Sequence, residues 1–132
     1  MTKDSGVYFY KKVVKIPMYS GYFIIVFSND VRAVEKTVNL QNNHLDYLYA
    51  HTFHNFIYGG YESFCITLNF WSNTSTISLG SITHELTHCV NRVLQARGVV
   101  LDWENDEASA YLSSWMGDEV QKFMKQCNLK IW

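Results

Sequence analysis

The chain has 132 residues, of which 48% are hydrophobic and 17% charged, so it carries enough apolar surface for one buried core and is not expected to be disordered. Eleven Lys and Arg residues against twelve Asp and Glu residues give a formal net charge of −1. Nucleic-acid-binding domains usually carry a strong basic excess, which is missing here. We therefore expect a single domain over residues 1–132, with no nucleic acid among its partners.

The sequence also indicates a compartment. The first residues, Met1 to Gly6, lack the basic start and apolar run of a signal peptide. The longest dense apolar stretch, Tyr22 to Phe27, is far shorter than the roughly 20 residues that a membrane-spanning helix needs. Three cysteines without a CxxC pair fit reduced thiols better than a disulfide framework. We expect a soluble, cytoplasmic protein with no membrane partner.

The first third of the chain predicts two strands and a short helix. Residues 7–16 and 22–27 are dense in β-branched and aromatic side chains, and residues 17–21 between them have turn-forming chemistry. Asn29 or Asp30 is suited to cap a helix that runs to about Val38.

A hairpin is predicted next. Residues 47–57 and 62–71 form its two arms, joined around Gly59 and Gly60. Apolar and polar residues alternate in the second arm, which predicts a half-buried antiparallel strand.

Two amphipathic helices are predicted to complete the domain. Apolar residues recur at helical spacing over residues 81–97 and again over residues 104–126. Gly98 lies where a helix C-cap is expected. The turn after it would fold the second helix back antiparallel to the first. The expected fold class is α+β, a small and mostly antiparallel sheet packed on the two helices.

The first of these helices carries an HExxH motif formed by His84, Glu85 and His88. Histidines at positions i and i+4 lie one above the other on a helix, so both imidazoles can bind one ion. Glu85 projects toward the same side, where it can take a proton from a water molecule. Nitrogen and carboxylate ligands with one open position suit Zn²⁺, so the motif predicts a catalytic zinc site.

A catalytic zinc site needs a third protein ligand. Glu107 is the best candidate because it follows His88 by 19 residues, in the first turn of the next predicted helix. Asp102, Glu104 and Asp106 are rivals on spacing alone. The residues themselves do not exclude Glu104.

A family resemblance rests on residues 81–115, about a quarter of the chain. The stretches His84 to Val90 and Asn105 to Ala108 resemble the HELTHxV and NExA motifs of gluzincins, the thermolysin-type peptidases. They resemble still more closely the minimal zincin-like metallopeptidases encoded by phages and prophages. The resemblance implies that His84, His88 and Glu107 bind zinc and that Glu85 is the general base. It also implies a zincin-like fold and, for a phage protein, the cytoplasm of the bacterial host.

The sequence departs from the thermolysin pattern at Tyr111. Thermolysin-like enzymes have an Asp four residues after the third ligand, and they take a further catalytic His from a second lobe for which this chain has no room. Tyr111 shares a helix face with Glu107, so its phenol is a candidate for stabilising an oxyanion. The alternative is a core aromatic residue beside Leu112 and Trp115.

Other residues allow both a functional and a structural interpretation. The strand that precedes the HExxH helix in zincins pairs with an extended substrate, which would expose Thr67 and Asn69 to a peptide; a plain hairpin strand is the alternative. We expect structural or surface roles for His44, His51 and His54, and a core position for Cys89.

The expected function is zinc-dependent hydrolysis of peptide bonds, with Glu85 as general base and a peptide or protein as substrate. The alternative is a catalytically silent, zinc-stabilised phage protein that acts in interactions or is associated with the virion. A third, weaker alternative is a regulator that cleaves one cellular repressor.

Overall fold

The computed structural model describes residues 9–29, 50–70, 75–104 and 106–132. The helix expected to end at about Val38 and the residue His44 lie outside them. In chain order the elements are β1 (Phe9–Lys15), β2 (Tyr22–Ser28), β3 (Ala50–Tyr58), β4 (Tyr61–Asn69), β5 (Thr76–Ile77), α1 (Leu79–Ala96), α2 (Glu107–Gln126) and β6 (Lys130–Ile131).

The main sheet is mixed, with the strand order β1-β2-β4-β3. β1 pairs with β2 and β3 pairs with β4 in antiparallel fashion, while the central pair of β2 and β4 is parallel. The predicted α+β class is confirmed. Two of the three pairings are antiparallel. The third is parallel because β2 lies beside β4, which runs in the same direction, rather than beside β3, which runs in the opposite direction.

The predicted hairpin is confirmed at its turn. Gly59 and Gly60 connect β3 to β4 and both have positive φ, 58° and 85°. A two-residue turn with both central residues in this region matches the right-handed twist of the paired strands, and glycine adopts it at little cost.

The prediction of a half-buried strand at residues 62–71 was wrong. β4 lies inside the sheet between β2 and β3, and it is buried on both faces: Phe64 and Cys65 are both fully buried, and Thr67 is 5% exposed. Thr67 is therefore not available to an extended peptide. Of the two hairpin strands, β3 is the one that lies at an edge of the described sheet.

Both helices contribute to one apolar cluster with β2 and β4. Its fully buried members include Phe27, Phe64, Val93 and Met116. The phenyl rings of Phe27 and Phe123 stack at 4.9 Å between centroids, which ties α2 to the centre of the sheet. The burial of these side chains stabilises the layered arrangement of helices on a sheet.

The two helices run antiparallel, as predicted. β5, which directly precedes α1, pairs with β6, which directly follows α2, so the start of α1 lies beside the end of α2. Ser78 caps α1 by accepting a hydrogen bond from the backbone N–H of Ser81, and Gly98 follows the helix with a φ of 73°. Within the described chain neither helix has the length and apolar content needed to cross a membrane.

Candidate metal centre

The two histidines of the HExxH motif meet on the exposed face of α1. The Nε2 atoms of His84 and His88 are 3.2 Å apart, and the ring centroids are 4.8 Å apart. The His84 side chain is 67% exposed. Positions four apart on a helix bring the two rings together, so this proximity follows directly from the sequence spacing.

The separation of the two Nε2 atoms fits a shared zinc ion. Zinc–imidazole bonds of about 2.0–2.1 Å at a tetrahedral angle place two ligand nitrogens about 3.3 Å apart. The observed 3.2 Å agrees with this value. The same distance allows one ring N–H to donate a hydrogen bond to the other ring nitrogen, so the pair is held together without an ion.

Glu85 lies beside the histidine pair and is buried. The residue is 6% exposed, and its Oε2 atom lies 3.9 Å from Nε2 of His84. The helix turns Glu85 toward the sheet rather than toward solvent, between the exposed histidines and the buried Leu86 and Cys89. The carboxylate is therefore shielded from bulk water but next to the point at which the two imidazoles converge.

Thr52 on β3 holds the Glu85 carboxylate. Its hydroxyl lies 2.8 Å from Oε1 and 3.0 Å from the backbone carbonyl oxygen of Glu85, and it can donate to either acceptor. This contact joins the edge strand to the HExxH helix across 33 positions of sequence. Sequence reasoning missed Thr52, because a single Thr in a predicted strand carries no signal of its partner.

Glu107 is the first residue of α2 and is exposed. The antiparallel packing puts it at the end of the helix pair where α1 finishes, and His88 lies about 12 Å of helix before that end. In the described part of the chain, no group of three or more His, Cys, Asp or Glu side chains is placed to hold a metal ion. The structure thus brings His84, Glu85 and His88 together, without Glu107.

The rival third ligands are also placed by the structure. Asp102 accepts a hydrogen bond from the backbone N–H of Glu104 at 3.1 Å, which gives its carboxylate a local role in the turn. Asp106 is the N-cap residue of α2, without a side-chain hydrogen bond to the helix, and Glu104 is exposed. None of these residues forms a three-residue metal group with the histidines in the described chain.

Tyr111 is 52% exposed and lies one helical turn after Glu107. Its neighbour Leu112 is 1% exposed and belongs to the core. The exposure of the phenol excludes the alternative that Tyr111 is a core aromatic residue. It leaves the ring on the solvent side of α2.

Arg97 anchors the end of α1 to the sheet. Its Nη2 donates hydrogen bonds to the backbone carbonyl oxygens of Ser20 and Glu62, and its Nη1 lies 3.7 Å from Oε1 of Glu62. The guanidinium also lies over the Phe64 ring, 5.8 Å from the ring centroid. These contacts fix the position of the HExxH helix over β4, and they too connect residues distant in sequence.

The three cysteines are free thiols outside this centre. Cys89 is fully buried, which confirms the prediction that it is a core residue. Burial raises the pKa of the thiols of Cys65, Cys89 and Cys127. The thiols are therefore protonated at neutral pH, which makes them poor nucleophiles.

Comparisons with known proteins do not assign the chain to a family. No family model matches the sequence, and no curated protein and no solved structure is detectably similar to it.

Proposed function

We propose that the protein is a zinc-dependent peptide hydrolase with a minimal, zincin-like site. The observation that carries the proposal is the 3.2 Å separation of the Nε2 atoms of His84 and His88. The Glu85 carboxylate beside them is the second support. A bound Zn²⁺ would supply Lewis-acid chemistry and an open position for water. His84 and His88 would hold it, and Glu107, which the family resemblance implies as the third ligand, would have to approach them from the first turn of α2.

Glu85 is the proposed general base. Its carboxylate removes a proton from the attacking water and returns that proton to the leaving amine. Thr52 restricts the rotation of this carboxylate through the hydrogen bond to Oε1, so that Oε2 is left to accept the proton. Tyr111 is the proposed oxyanion donor, because its exposed phenol lies one turn after Glu107 on α2.

The proposed substrate is a peptide in extended conformation. β3 is an edge strand of the described sheet, and through Thr52 it lies directly beside Glu85. An extended chain that pairs with the outer edge of β3 in this sheet would pass over the histidine pair. This role moves from the strand at residues 62–71 to β3, because β4 lies inside the sheet.

The first test is Glu85→Gln with His84→Ala as its partner variant. Glu85→Gln should keep about one equivalent of zinc but lose peptide hydrolysis, because an amide cannot accept the proton. His84→Ala should lose the zinc. Metal content of the purified proteins and cleavage of a peptide library measure the two outcomes. Full activity in Glu85→Gln, or a parent protein without metal after zinc loading, would contradict the proposal.

The third ligand is tested by comparing Glu107→Gln with Glu104→Gln. If Glu107 binds the ion, its variant should weaken zinc affinity by about tenfold or more, because one charged ligand is lost. Glu104→Gln carries the same change of charge and should bind zinc like the parent. Competition with a fluorescent zinc chelator measures both. The reverse result would assign the ligand to Glu104.

A catalytically silent, zinc-stabilised interaction protein is the second candidate. The observation behind it is the exposure of the His84 side chain, 67%, which places the histidine pair on the surface of the helix. In that case chelation should lower the thermal unfolding midpoint by many degrees while no member of a peptide library is cut. Hydrolysis that depends on Glu85 would eliminate this candidate.

A further inference from the structure

A recess lies on α1, beyond the histidine pair. It is a cavity of about 240 Å³ lined by His54, Glu62, Phe64, Arg92, Gln95 and Ala96, which we call the basic pocket. Arg92 is four residues after His88, so it lies one turn further along the same row of side chains. The pocket and the candidate metal centre are therefore neighbours on one face of α1.

A bulge in the edge strand brings β3 to this pocket. Position 53 pairs with Cys65 and Phe56 pairs with Ser63, so two residues of β3, His54 and Asn55, lie opposite Phe64. His54 lines the pocket, and Thr52 two residues earlier contacts Glu85. One stretch of β3 thus borders first the proposed catalytic carboxylate and then the pocket.

The charges of the pocket are not balanced. The Glu62 carboxylate is paired with Arg97, with Oε1 3.7 Å from Nη1. Arg92 donates a hydrogen bond from Nη1 to Oε1 of Gln95 at 3.2 Å, and it has no ion pair within the described residues. Within the described residues the pocket therefore presents a guanidinium without a carboxylate partner, and His54 and Phe64 line the same pocket.

We propose that the basic pocket binds a carboxylate of the peptide substrate, one helical turn from the metal centre. This inference rests on the proposed peptide hydrolysis and adds a substrate class to it: peptides with an acidic group close to the scissile bond. Arg92 is the specificity-determining residue, because a guanidinium recognises a carboxylate by two parallel hydrogen bonds. The carboxylate comes from an Asp or Glu side chain or from the C-terminus of the peptide.

The test measures binding, so that it does not depend on turnover. Zinc-loaded Glu85→Gln protein is titrated with fluorescein-labelled, alanine-based octapeptides that carry one Glu at each position in turn. A matched series carries Gln, and both series are made with a free and with an amidated C-terminus. At one or two positions the Glu peptide should bind about threefold to tenfold more tightly than the Gln peptide, the range for a charge-assisted contact at a partly exposed site. A preference for free over amidated ends would instead identify the terminal carboxylate as the source.

Arg92→Gln should abolish whichever preference is found. Lys125→Gln, which removes one positive charge from the exposed last turn of α2, should keep it. The pocket assignment would be overturned by equal binding of all series, by a preference that survives in Arg92→Gln, or by no binding of any peptide. Library cleavage by the parent without an acidic preference would refute the pocket alone. Failure to bind zinc and to cut any peptide would refute the proposed function.

Discussion

The contact between Thr52 and Glu85 makes a prediction that can be tested without any substrate. Thr52→Val replaces the hydroxyl by a methyl group of similar shape and removes the donor that lies 2.8 Å from Oε1 of Glu85. Glu85 is only 6% exposed, so water replaces that donor poorly. Hydrogen bonds to charged groups contribute about 1.5–3 kcal/mol. We expect the free energy of unfolding of the metal-free protein to fall by that amount.

Urea denaturation of metal-free protein measures this loss as a lower midpoint with an unchanged slope. Thr83→Val is the matched control, because the Thr83 hydroxyl is exposed and donates to carbonyl oxygens of its own helix. Its stability should stay within about 0.5 kcal/mol of the parent. Thr52→Ser keeps the hydroxyl and should retain most of the stability.

A double-mutant cycle shows whether the effect passes through the carboxylate. In a Glu85→Gln background the Thr52→Val change should cost about 1 kcal/mol less than in the parent, since the acceptor is no longer charged. An equal cost in both backgrounds would show that the hydroxyl serves only the backbone carbonyl of Glu85. A cost below about 0.5 kcal/mol in the parent would show that the Thr52 hydroxyl does not stabilise the fold through Glu85.

Two further predictions concern the backbone and the thiols. Gly21→Ala should lower the free energy of unfolding by about 2 kcal/mol or more, because Gly21 has a φ of 103° and a Cβ there would lie 2.2 Å from a backbone oxygen. Gly117 lies within α2, and a Cβ there would meet open space. Gly117→Ala should therefore raise the free energy of unfolding by about 0.5–1 kcal/mol. The opposite order in urea denaturation would contradict this. Iodoacetamide near neutral pH should alkylate the half-buried Cys127 first, and Cys65 and Cys89 only after unfolding. Native-state labelling of Cys89, detected by mass spectrometry, would show that the core opens.

The local features of the fold could be predicted from the sequence. Helical periodicity located α1 within about two residues, and the pair Gly59 and Gly60 located the turn between β3 and β4. These features depend on residues that are neighbours in the chain, where spacing and backbone preference act directly. The predicted start of the second helix, near residue 104, is three residues too early, since α2 begins at Glu107.

The parallel pairing of β2 with β4 could not be predicted in the same way. The alternation of β4 favoured a strand with one exposed face, but both of its faces are buried. A signal was present in β2, whose unbroken apolar run from Phe23 to Phe27 is typical of a strand covered on both sides. The partner of that strand depends on the path of the chain between them, which periodicity does not encode.

The candidate site shows the same difference between local features and features that depend on long-range packing. The sequence alone determined that His84 and His88 share one helix face with Glu85 beside them, because a spacing of four residues fixes that geometry in any helix. Three other facts became known from the packing of the chain: Thr52 holds the Glu85 carboxylate, Tyr111 is exposed, and Glu107 begins α2 at the far end of the helix pair. These three facts depend on how strands and helices pack across long sequence separations, and packing of this kind is set by the whole core rather than by any local pattern.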